Sequence, residues 1–297
     1  LVSDRVALEK IFTETAGLIA VHAEDEDRMN ERKKLVEGRT DIAAHAYYRD
    51  DITALLATKL SVELAIKTGH RLHILHLTSG IEADYLADYC TLPSKAEQHP
   101  IITTEVLPQH LTFDETDVDE QGVRLQMNPP IRYAADREIL WSRLRDGTIQ
   151  CIATDHAPHT LENKAKGFPN AHSGMPGVET SLSVMLTNVN DGKCSLEDVV
   201  RWMSTDVADC YQMIGKGKLE VGYDGDVVLV DMAAKAVVED ENSWTRVGWN
   251  PFRGRELTGW PVLTVVEGTP VFERSPVTGQ KGRLLVEPGS VGKPILM

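Results

Sequence analysis

The sequence is poor in cysteine, in basic runs and in long apolar stretches, and each scarcity excludes a class of protein. The four cysteines among its 297 residues are widely spaced and form no Cys-x-x-Cys pair, which argues against a disulfide scaffold or a zinc–thiolate site and favours reduced thiols in the cytosol. No apolar stretch approaches the roughly 20 residues of a membrane span. The formal net charge is −14, and no run of Lys or Arg is long enough to follow a phosphate backbone. We therefore expect a cytoplasmic protein that binds neither nucleic acid nor membrane.

The segment Thr154-Asp155-His156-Ala157-Pro158-His159 is the most informative feature of the chain. It follows the apolar run 149–153, which reads as a buried strand. A carboxylate and two imidazoles therefore stand where a strand opens into a loop. In α/β barrels the catalytic residues lie at this end of the strands.

Two other apolar runs end in the same way. Residues 18–21 lead into His22, and residues 72–75 lead into His76. Side chains alternate between the two faces of a strand, so His76 and His73 are predicted to point in opposite directions. We assign His76 to the site because it lies at the end of its strand, and we predict that His73 is a structural histidine packed under a helix.

Segments with helical spacing separate these strands. Apolar residues recur at three- and four-residue intervals over residues 4–15, 51–68, 80–89 and 136–145, and a further strand is predicted over residues 101–107. Strands that alternate with helices favour right-handed parallel crossovers and a sheet covered by helices. Because several strand ends carry polar chemistry, the pattern favours a barrel over an open sheet.

The predicted fold class is α/β, and the predicted barrel is incomplete. Only four barrel strands can be counted, whereas a (β/α)8 barrel needs eight, and the chain begins at Leu1 without an initiator Met. We expect residues 1–215 to form the C-terminal half of a distorted (β/α)8 TIM-type barrel, about strands 5 to 8 with their helices. Residues 216–297 are β-rich and are predicted to be part of a small β-sandwich domain, whose other strands the missing N-terminal part would supply.

His22, His76 and Asp155 combine the ligand types that catalytic zinc prefers. Bound zinc lowers the pKa of a water molecule from about 15.7 to about 7. A neighbouring carboxylate can then take up a proton and return it to a leaving nitrogen. The three residues would supply half of a two-metal hydrolytic site.

The motifs around these residues resemble those of the dihydroorotases, which belong to the amidohydrolase superfamily. The resemblance covers nearly the whole chain, and the segments that carry it are His22-Ala23-Glu24-Asp25, Asn128-Pro129-Pro130-Ile131-Arg132, residues 154–159 and Pro176-Gly177-Val178-Glu179-Thr180. The segments at 128–132 and 154–159 together are typical of dihydroorotases. Residues 217–231 are similar to a signature of the whole superfamily and say nothing about the substrate.

The resemblance implies a binuclear zinc centre. His22 and His76, at the ends of the fifth and sixth strands, would bind one zinc ion, and Asp155, at the end of the eighth, would bind the other and transfer the proton. The family's His-x-His pair and its bridging ligand, a carboxylated lysine or an aspartate, have no counterpart in this chain. We attribute their absence to the missing N-terminal part.

The resemblance also implies the substrate contacts. Asn128 and the backbone around Pro176 and Gly177 would hydrogen-bond a pyrimidine ring, and His159 would bind the substrate carboxylate. The implied reaction is the reversible hydrolysis of the cyclic amide of (S)-dihydroorotate to N-carbamoyl-L-aspartate in pyrimidine biosynthesis. Two alternatives stay open: another cyclic amidohydrolase, of the allantoinase or hydantoinase type, and a non-catalytic dihydroorotase-like scaffold. A homodimer and an association with aspartate transcarbamoylase are further expectations from the family.

The remaining candidates have structural readings as well as functional ones. Four histidines are predicted to be solvated: His45, His70, His99 and His172. For His110 packing is favoured over a place in the site, and His156 is as well explained by orienting a neighbour as by structure. Glu24 and Asp25 either fix the His22 ring or cap a turn. The loop 160–175 is a mobile flap or an ordered wall, and the sequence does not choose.

Overall fold

A computed structural model describes residues 2–97, 101–274 and 281–295. The chain divides into two compact units, one of Leu1–Asp155 with His159–Met175, and one of His156–Pro158 with Pro176–Met297. The first contains a parallel sheet and the second an antiparallel sheet. The α/β fold class is confirmed, whereas the domain boundary expected near residue 215 stays a prediction.

The first unit is built on a four-stranded parallel sheet with the strand order β1-β2-β3-β4. Its strands are β1 (Leu18–Val21), β2 (Arg71–Leu77), β3 (Ile102–Val106) and β4 (Cys151–Ile152). Strands that are consecutive in the chain are neighbours in the sheet, as in successive β/α units of a barrel. The carboxyl ends of all four strands therefore lie at one edge.

Helices connect these strands. In the first unit they are α1 (Arg5–Glu14), α2 (Glu26–Lys33), α3 (Ala43–Tyr48), α4 (Asp51–Thr68), α5 (Gly80–Leu86), α6 (Glu115–Gln121), α7 (Ala134–Asp146) and α8 (Leu161–Lys164). The longest, α4, begins where the Asp50 carboxylate accepts from the Thr53 N–H at 3.0 Å and ends at Gly69, whose φ of 71° is left-handed. An acidic N-cap contributes about 1 kcal/mol, and a glycine at the C-terminus avoids the strain that a Cβ would cause.

The core of the first unit lies between the sheet and its helices. Leu72 and Ile74 of β2 and Leu64 of α4 are buried, each with at most 1% of its surface exposed. Burying a side chain of this size stabilises a fold by about 1.5–3 kcal/mol. Helices α5 and α7 pack closely at Gly80, where a Cβ would lie 2.6 Å from Ile139 Cδ1. The sequence therefore needs glycine at this crossing.

The second unit contains helices α9 (Val178–Asn190), α10 (Leu196–Val200) and α11 (Asp206–Tyr211), with a π-helical turn between the last two. Its sheet has the order β5 (Val227–Val237), β6 (Glu256–Val266), β7 (Thr269–Glu273) and β8 (Arg283–Leu284), and the neighbours are antiparallel. The Thr258 N–H of β6 donates to Thr187 Oγ1 of α9 at 2.9 Å. A Cβ at Gly259 would lie 2.6 Å from Leu186 Cβ, so the helix lies directly on the strand.

No helix in the described part of the chain combines the length and the apolar character that crossing a bilayer requires. The four cysteines form no disulfide among the described residues, and Cys151 and Cys210 are buried.

Candidate active site

The ends of β1 and β2 bring two of the predicted metal ligands together. His22 follows β1 directly, and His76 lies near the end of β2, which pairs with β1 in parallel. His22 Nδ1 lies 3.1 Å from His76 Nε2, and the two rings meet edge to face at 75°. The predicted pair is therefore a real side-chain cluster at the polar edge of the sheet.

The second ring nitrogen of His22 faces a buried carboxylate. His22 Nε2 lies 2.8 Å from Glu24 Oε2, and the Glu24 side chain is completely buried. Although burial raises the pKa of Glu24, the hydrogen bond from His22 and the charges of Arg49 and Arg132 leave that pKa below its usual value. Because an ionised carboxylate only accepts hydrogen bonds, Glu24 favours the tautomer of His22 with a proton on Nε2. The lone pair on Nδ1 is then directed toward His76.

His76 owes its position to an irregularity in β2. The register between β2 and β3 shifts between Ile74 and Leu77, and His76 has a φ of 36°, in the left-handed region. Regular alternation of side chains does not hold across this point. Burial lowers the pKa of His76 to about 4, helped by the nearby His22. The ring is therefore neutral at pH 7 and can donate a lone pair to a metal ion.

His73 is structural, as predicted, but its partners lie on a strand. The ring is fully buried, with Nδ1 2.8 Å from Thr103 Oγ1 and Nε2 3.1 Å from Glu105 Oε2, both on β3. Glu105 also accepts from the backbone N–H of His76 at 3.3 Å. Glu105 thus links the two histidines of β2. The one sequence signal that could have identified Glu105 as a site residue is an acidic side chain within a predicted buried strand.

Asp155 lies just beyond β4, at the same edge of the sheet. Its φ of 41° is left-handed, and its side chain is partly buried. Burial raises the pKa of Asp155, and Glu105 raises it further, while His22 opposes the shift. The carboxyl group therefore holds a proton more readily than an exposed aspartate, which suits a group that accepts and returns protons.

The pair of imidazoles fits two adjacent ligands of one metal ion. Zn–N bonds of about 2.0–2.1 Å in a tetrahedral site separate two ligand nitrogens by about 3.3 Å. The 3.1 Å between His22 Nδ1 and His76 Nε2 is close to this value, and both donors are of the right type. Within residues 2–97, 101–274 and 281–295, no group of three or more metal-binding side chains is close enough to hold an ion. The described residues thus offer part of a ligand set.

The predicted substrate residue Asn128 lies in a polar cluster. Its amide nitrogen is placed to donate to Ser173 Oγ at 3.1 Å, and its oxygen to accept from Arg49 Nη2 at 3.3 Å. The prediction that His45 is solvated is wrong: it is 4% exposed, and its Nε2 lies 3.0 Å from the Met127 carbonyl oxygen. Burial lowers the pKa of His45 to about 4. Neither the helix α3 that carries His45 nor the segment that covers it was predicted from the sequence.

The other predicted solvated histidines have different surroundings. His70 is half-buried, with Nε2 3.2 Å from the Thr15 carbonyl oxygen, whereas His172 is exposed. His99 lies outside the described residues. His110 is buried, as the packing interpretation predicted, and burial lowers its pKa to about 3, with a further contribution from His76.

His159, the predicted carboxylate-binding residue, lies at the start of the loop 160–175. Its Nε2 donates to the Ser173 carbonyl oxygen at 3.1 Å, and its ring meets that of His172 edge to face. Burial lowers the pKa of His159, and the charge of Lys164 lowers it further. The ring is partly exposed and therefore accessible.

Lys164 anchors this loop to the residues that precede Asn128. Its side chain is 2% exposed, and Nζ donates to the carbonyl oxygens of Gln126 and His172, each at 2.9 Å. Gln126 in turn donates from Nε2 to the Ala171 carbonyl oxygen at 2.8 Å. These bonds tie both ends of the loop to the segment that precedes Asn128. A lysine in a polar loop is usually exposed to solvent, so the burial of Lys164 could not be predicted from the sequence.

The buried ammonium group of Lys164 predicts a specific pH dependence of stability. Burial lowers the pKa of Lys164 to about 8, below its value in an unfolded chain. Between pH 8 and about 10.4 the unfolded state binds more protons, so the free energy of unfolding rises with pH by up to roughly 3 kcal/mol from this group. Lys164→Met should lose this rise in denaturant unfolding at pH 7.5, 9 and 10. Lys166→Met, exposed in the same loop, should keep it, and equal slopes for both variants would contradict the assignment.

In the second unit, His156 hydrogen-bonds the backbone beside Pro176 and Gly177, which was predicted to bind the pyrimidine ring of the substrate. The backbone N–H groups of Gly177 and Val178 both donate to His156 Nδ1, at 3.1 and 3.2 Å. They stand where Pro176 leads into α9. His156 therefore holds the turn at Pro176 and Gly177, and its orienting role stays a prediction beside the structural one. In the first unit, Asp25 caps α2 by accepting from the Arg28 N–H at 2.8 Å.

Comparisons with known proteins agree on one family. A sequence model of the amidohydrolase family matches residues 11–271. The dihydroorotase of Halobacterium salinarum is 34% identical over 268 residues, 90% of this chain and 60% of that protein, and that of Geobacillus thermodenitrificans is 36% identical over 72% of this chain and 48% of that protein. The L-hydantoinase (dihydropyrimidinase) structure from Arthrobacter aurescens matches with a TM-score of 0.86 and 31% identity, over 96% of this chain and 62% of that one. The chain thus spans about half to three fifths of the length of these relatives, and it belongs to the amidohydrolase family.

Proposed function

We propose that the whole protein is a dihydroorotase, which reversibly hydrolyses the cyclic amide of (S)-dihydroorotate to N-carbamoyl-L-aspartate in pyrimidine biosynthesis. The observation that carries this proposal is the meeting of His22 Nδ1 and His76 Nε2 at 3.1 Å on the sheet edge that also bears Asp155. Membership of the amidohydrolase family implies a metal cofactor, and the imidazole pair fits one. The names of the curated relatives support dihydroorotate as the substrate.

We infer two zinc ions in the complete active site. His22 and His76 would hold one of them and Asp155 the other, with the remaining ligands in sequence that this chain does not include. Zinc, when bound, would acidify a water molecule and polarise the ring carbonyl. The neutral state of His76 and the hydrogen bond from His22 to Glu24 both prepare the imidazoles for this role.

Asp155 is proposed to move the proton during ring opening. Water adds to the ring carbonyl carbon, and the carboxylate of Asp155 takes the proton that the water loses. The same carboxyl group then protonates the ring nitrogen as the C–N bond breaks. The raised pKa of Asp155 supports this role, because the group must release the proton as well as accept it.

The substrate would be held at two of its parts. We propose that Asn128 and the backbone at Pro176 and Gly177 hydrogen-bond the pyrimidine ring, while His159 binds the carboxylate. Since the Nε2–H of His159 already donates to Ser173, the ring offers a carboxylate a second N–H only when it is protonated. The contribution of His159 to affinity should therefore decline as the pH rises.

His159→Ala tests the carboxylate contact. A hydrogen bond to a charged group contributes about 1.5–3 kcal/mol, so at a pH low enough to protonate His159 we expect the KM for dihydroorotate to rise by about 10- to 100-fold. The binding of dihydrouracil, which lacks the carboxylate, should change little, and the effect on dihydroorotate should narrow at higher pH. His172→Ala, at an exposed histidine beside it, is the control. An unchanged KM for dihydroorotate would reject the assignment.

The likeness to hydantoinase structures favours a second candidate, hydrolysis of a hydantoin or dihydropyrimidine ring by the same residues. The imidazole pair and Asp155 serve either substrate, so the metal site does not separate the two. His159 and Asn128 do, because a carboxylate-binding histidine together with a ring-binding asparagine suits an acidic pyrimidine such as dihydroorotate. A non-catalytic scaffold is a third reading, and the retained His22, His76 and Asp155 argue against it.

The partners that we propose follow from the substrate. The protein would act on a small molecule in the cytoplasm, a location that the scarcity of cysteine in the sequence favours. A homodimer and an association with aspartate transcarbamoylase are expectations from the family. Sedimentation of the full-length protein with and without aspartate transcarbamoylase would test both.

A further inference from the structure

One carboxylate oxygen connects the proposed metal ligand His22 to an arginine. Glu24 Oε2 lies 2.8 Å from His22 Nε2 and also accepts a short hydrogen bond from Arg49 Nη1. The Glu24 side chain is completely buried, and that of Arg49 is 14% exposed. Removing one partner of a buried ion pair is strongly destabilising, because the other charge stays uncompensated. Neither residue can therefore leave the pair cheaply.

The same arginine reaches the proposed substrate residue Asn128. Arg49 Nη2 is 3.3 Å from the Asn128 amide oxygen, and Arg49 Nε donates to the Tyr48 hydroxyl at 3.0 Å. A guanidinium group has only donors, so it fixes which end of the Asn128 amide faces it. The amide nitrogen is thereby directed toward Ser173 and His45.

A second arginine holds this arrangement to the β2 segment. Arg132 is 5% exposed, and its Nη1 donates to the Arg49 carbonyl oxygen at 2.7 Å. Its Nε donates to Thr78 Oγ1 at 2.8 Å, two residues beyond His76. The segments that carry His22, His76 and Asn128 are thus joined by one continuous set of buried and partly buried hydrogen bonds.

We propose that Glu24 and Arg49 are positioning residues that couple the metal ligand His22 to the substrate-binding amide of Asn128, an inference that rests on the proposed function. Glu24 keeps the proton of His22 on Nε2, which leaves Nδ1 free to bind metal. Arg49 neutralises Glu24 and, with its other nitrogen, holds the Asn128 amide oxygen. A substitution of Glu24 or Arg49 therefore changes both the orientation of His22 and that of the Asn128 amide.

The variants that test this coupling are Glu24→Ala, Glu24→Gln and Arg49→Met in the full-length protein. The matched control is Arg137→Met, because Arg137 Nη1 donates to Asp114 Oδ2 at 2.7 Å in an ion pair outside this set. Loss of a residue that orients a metal ligand typically weakens metal binding 10- to 100-fold. We expect this weakening for Glu24→Ala in a chelator competition with zinc. Glu24→Gln should lose less, because its amide oxygen can replace Oε2 in both contacts.

Two further readouts separate positioning from a general loss of structure. In ¹⁵N spectra of the metal-free protein, His22 should be the Nε2–H tautomer in the wild type and a mixture of tautomers in Glu24→Ala. Arg49→Met should raise the KM for dihydroorotate, and combining it with Asn128→Ala should add little to the effect of the larger single change. Arg137→Met should change neither the zinc affinity nor the KM for dihydroorotate. Combined with Asn128→Ala, it should leave the KM of the Asn128→Ala variant unchanged.

Three results would decide the question. Unchanged zinc affinity and an unchanged His22 tautomer in a folded Glu24→Ala protein would overturn the role of Glu24. Fully additive effects of Arg49→Met and Asn128→Ala would overturn the coupling. The zinc and ¹⁵N measurements need no substrate, so a protein that shows both changes but does not hydrolyse dihydroorotate would support Glu24 as a positioning residue and contradict the proposed function.

Discussion

Asp155→Asn should lower the kcat of dihydroorotate hydrolysis on the order of 10³-fold or more while the protein stays folded. Loss of a general acid–base typically costs 10²- to 10⁴-fold, and Asp155 is also a proposed metal ligand. Asparagine tolerates the left-handed backbone that Asp155 adopts at φ 41°, so the change adds little strain. The measurement is steady-state turnover of the zinc-loaded, full-length protein, with circular dichroism to confirm folding.

The control for this variant is Asp191→Asn, at an exposed aspartate that ends α9. It removes the same charge at a position remote in sequence from the proposed site and should keep wild-type turnover. Near-normal activity of Asp155→Asn would remove Asp155 from its proposed role. Equal losses in both variants would point to net charge and not to the proton transfer.

His22→Ala should weaken the binding of one zinc ion by more than about 100-fold. Loss of a residue that only hydrogen-bonds a metal ligand typically weakens metal binding by about 10- to 100-fold. The imidazole is a proposed direct ligand, and its removal also leaves the buried Glu24 carboxylate without the hydrogen bond at 2.8 Å. Zinc affinity measured by chelator competition and zinc content after dialysis both report the loss. The zinc ion assigned to Asp155 should be retained more tightly than the ion assigned to His22 and His76.

His172→Ala removes an exposed imidazole from the same unit and should leave zinc content unchanged. If His22→Ala bound both ions with wild-type affinity, the 3.1 Å approach of His22 and His76 would be a hydrogen bond between two histidines and not a ligand pair. An unfolded His22→Ala protein would be recognised by its circular dichroism, and His22→Asn would then be measured in its place.

The regular elements of the first unit could be predicted closely from the sequence. Residues 51–68 were predicted as a helix and form α4 with the same limits, because the Asp50 cap, the apolar spacing and Gly69 all favour that result. The strand predicted over residues 18–21 also has the observed limits. The strand predicted over 149–153 is shorter, since only Cys151–Ile152 pair with β3. Local signals fix an element, but pairing decides where a strand ends.

The candidate site was predictable where a residue type and a strand end coincide, and not where tertiary contacts decide. His22 and His76 could be identified because apolar runs lead directly to them. Arg49, Lys164 and His45 could not, because their burial depends on segments far away in sequence, such as the Met127 carbonyl group that His45 meets. The left-handed backbone of His76 could not be predicted from the sequence either, since it accompanies a register shift between β2 and β3.

The most direct test of the account is a ring-opening assay of the full-length, zinc-loaded protein with dihydroorotate, a 5-substituted hydantoin and allantoin measured side by side. We predict that dihydroorotate is hydrolysed with by far the highest kcat/KM, because only this substrate presents a ring carboxylate to His159. Faster hydrolysis of the hydantoin would contradict the assignment of the substrate. No hydrolysis of any of the three by a protein that binds two zinc ions would contradict the enzymatic function itself.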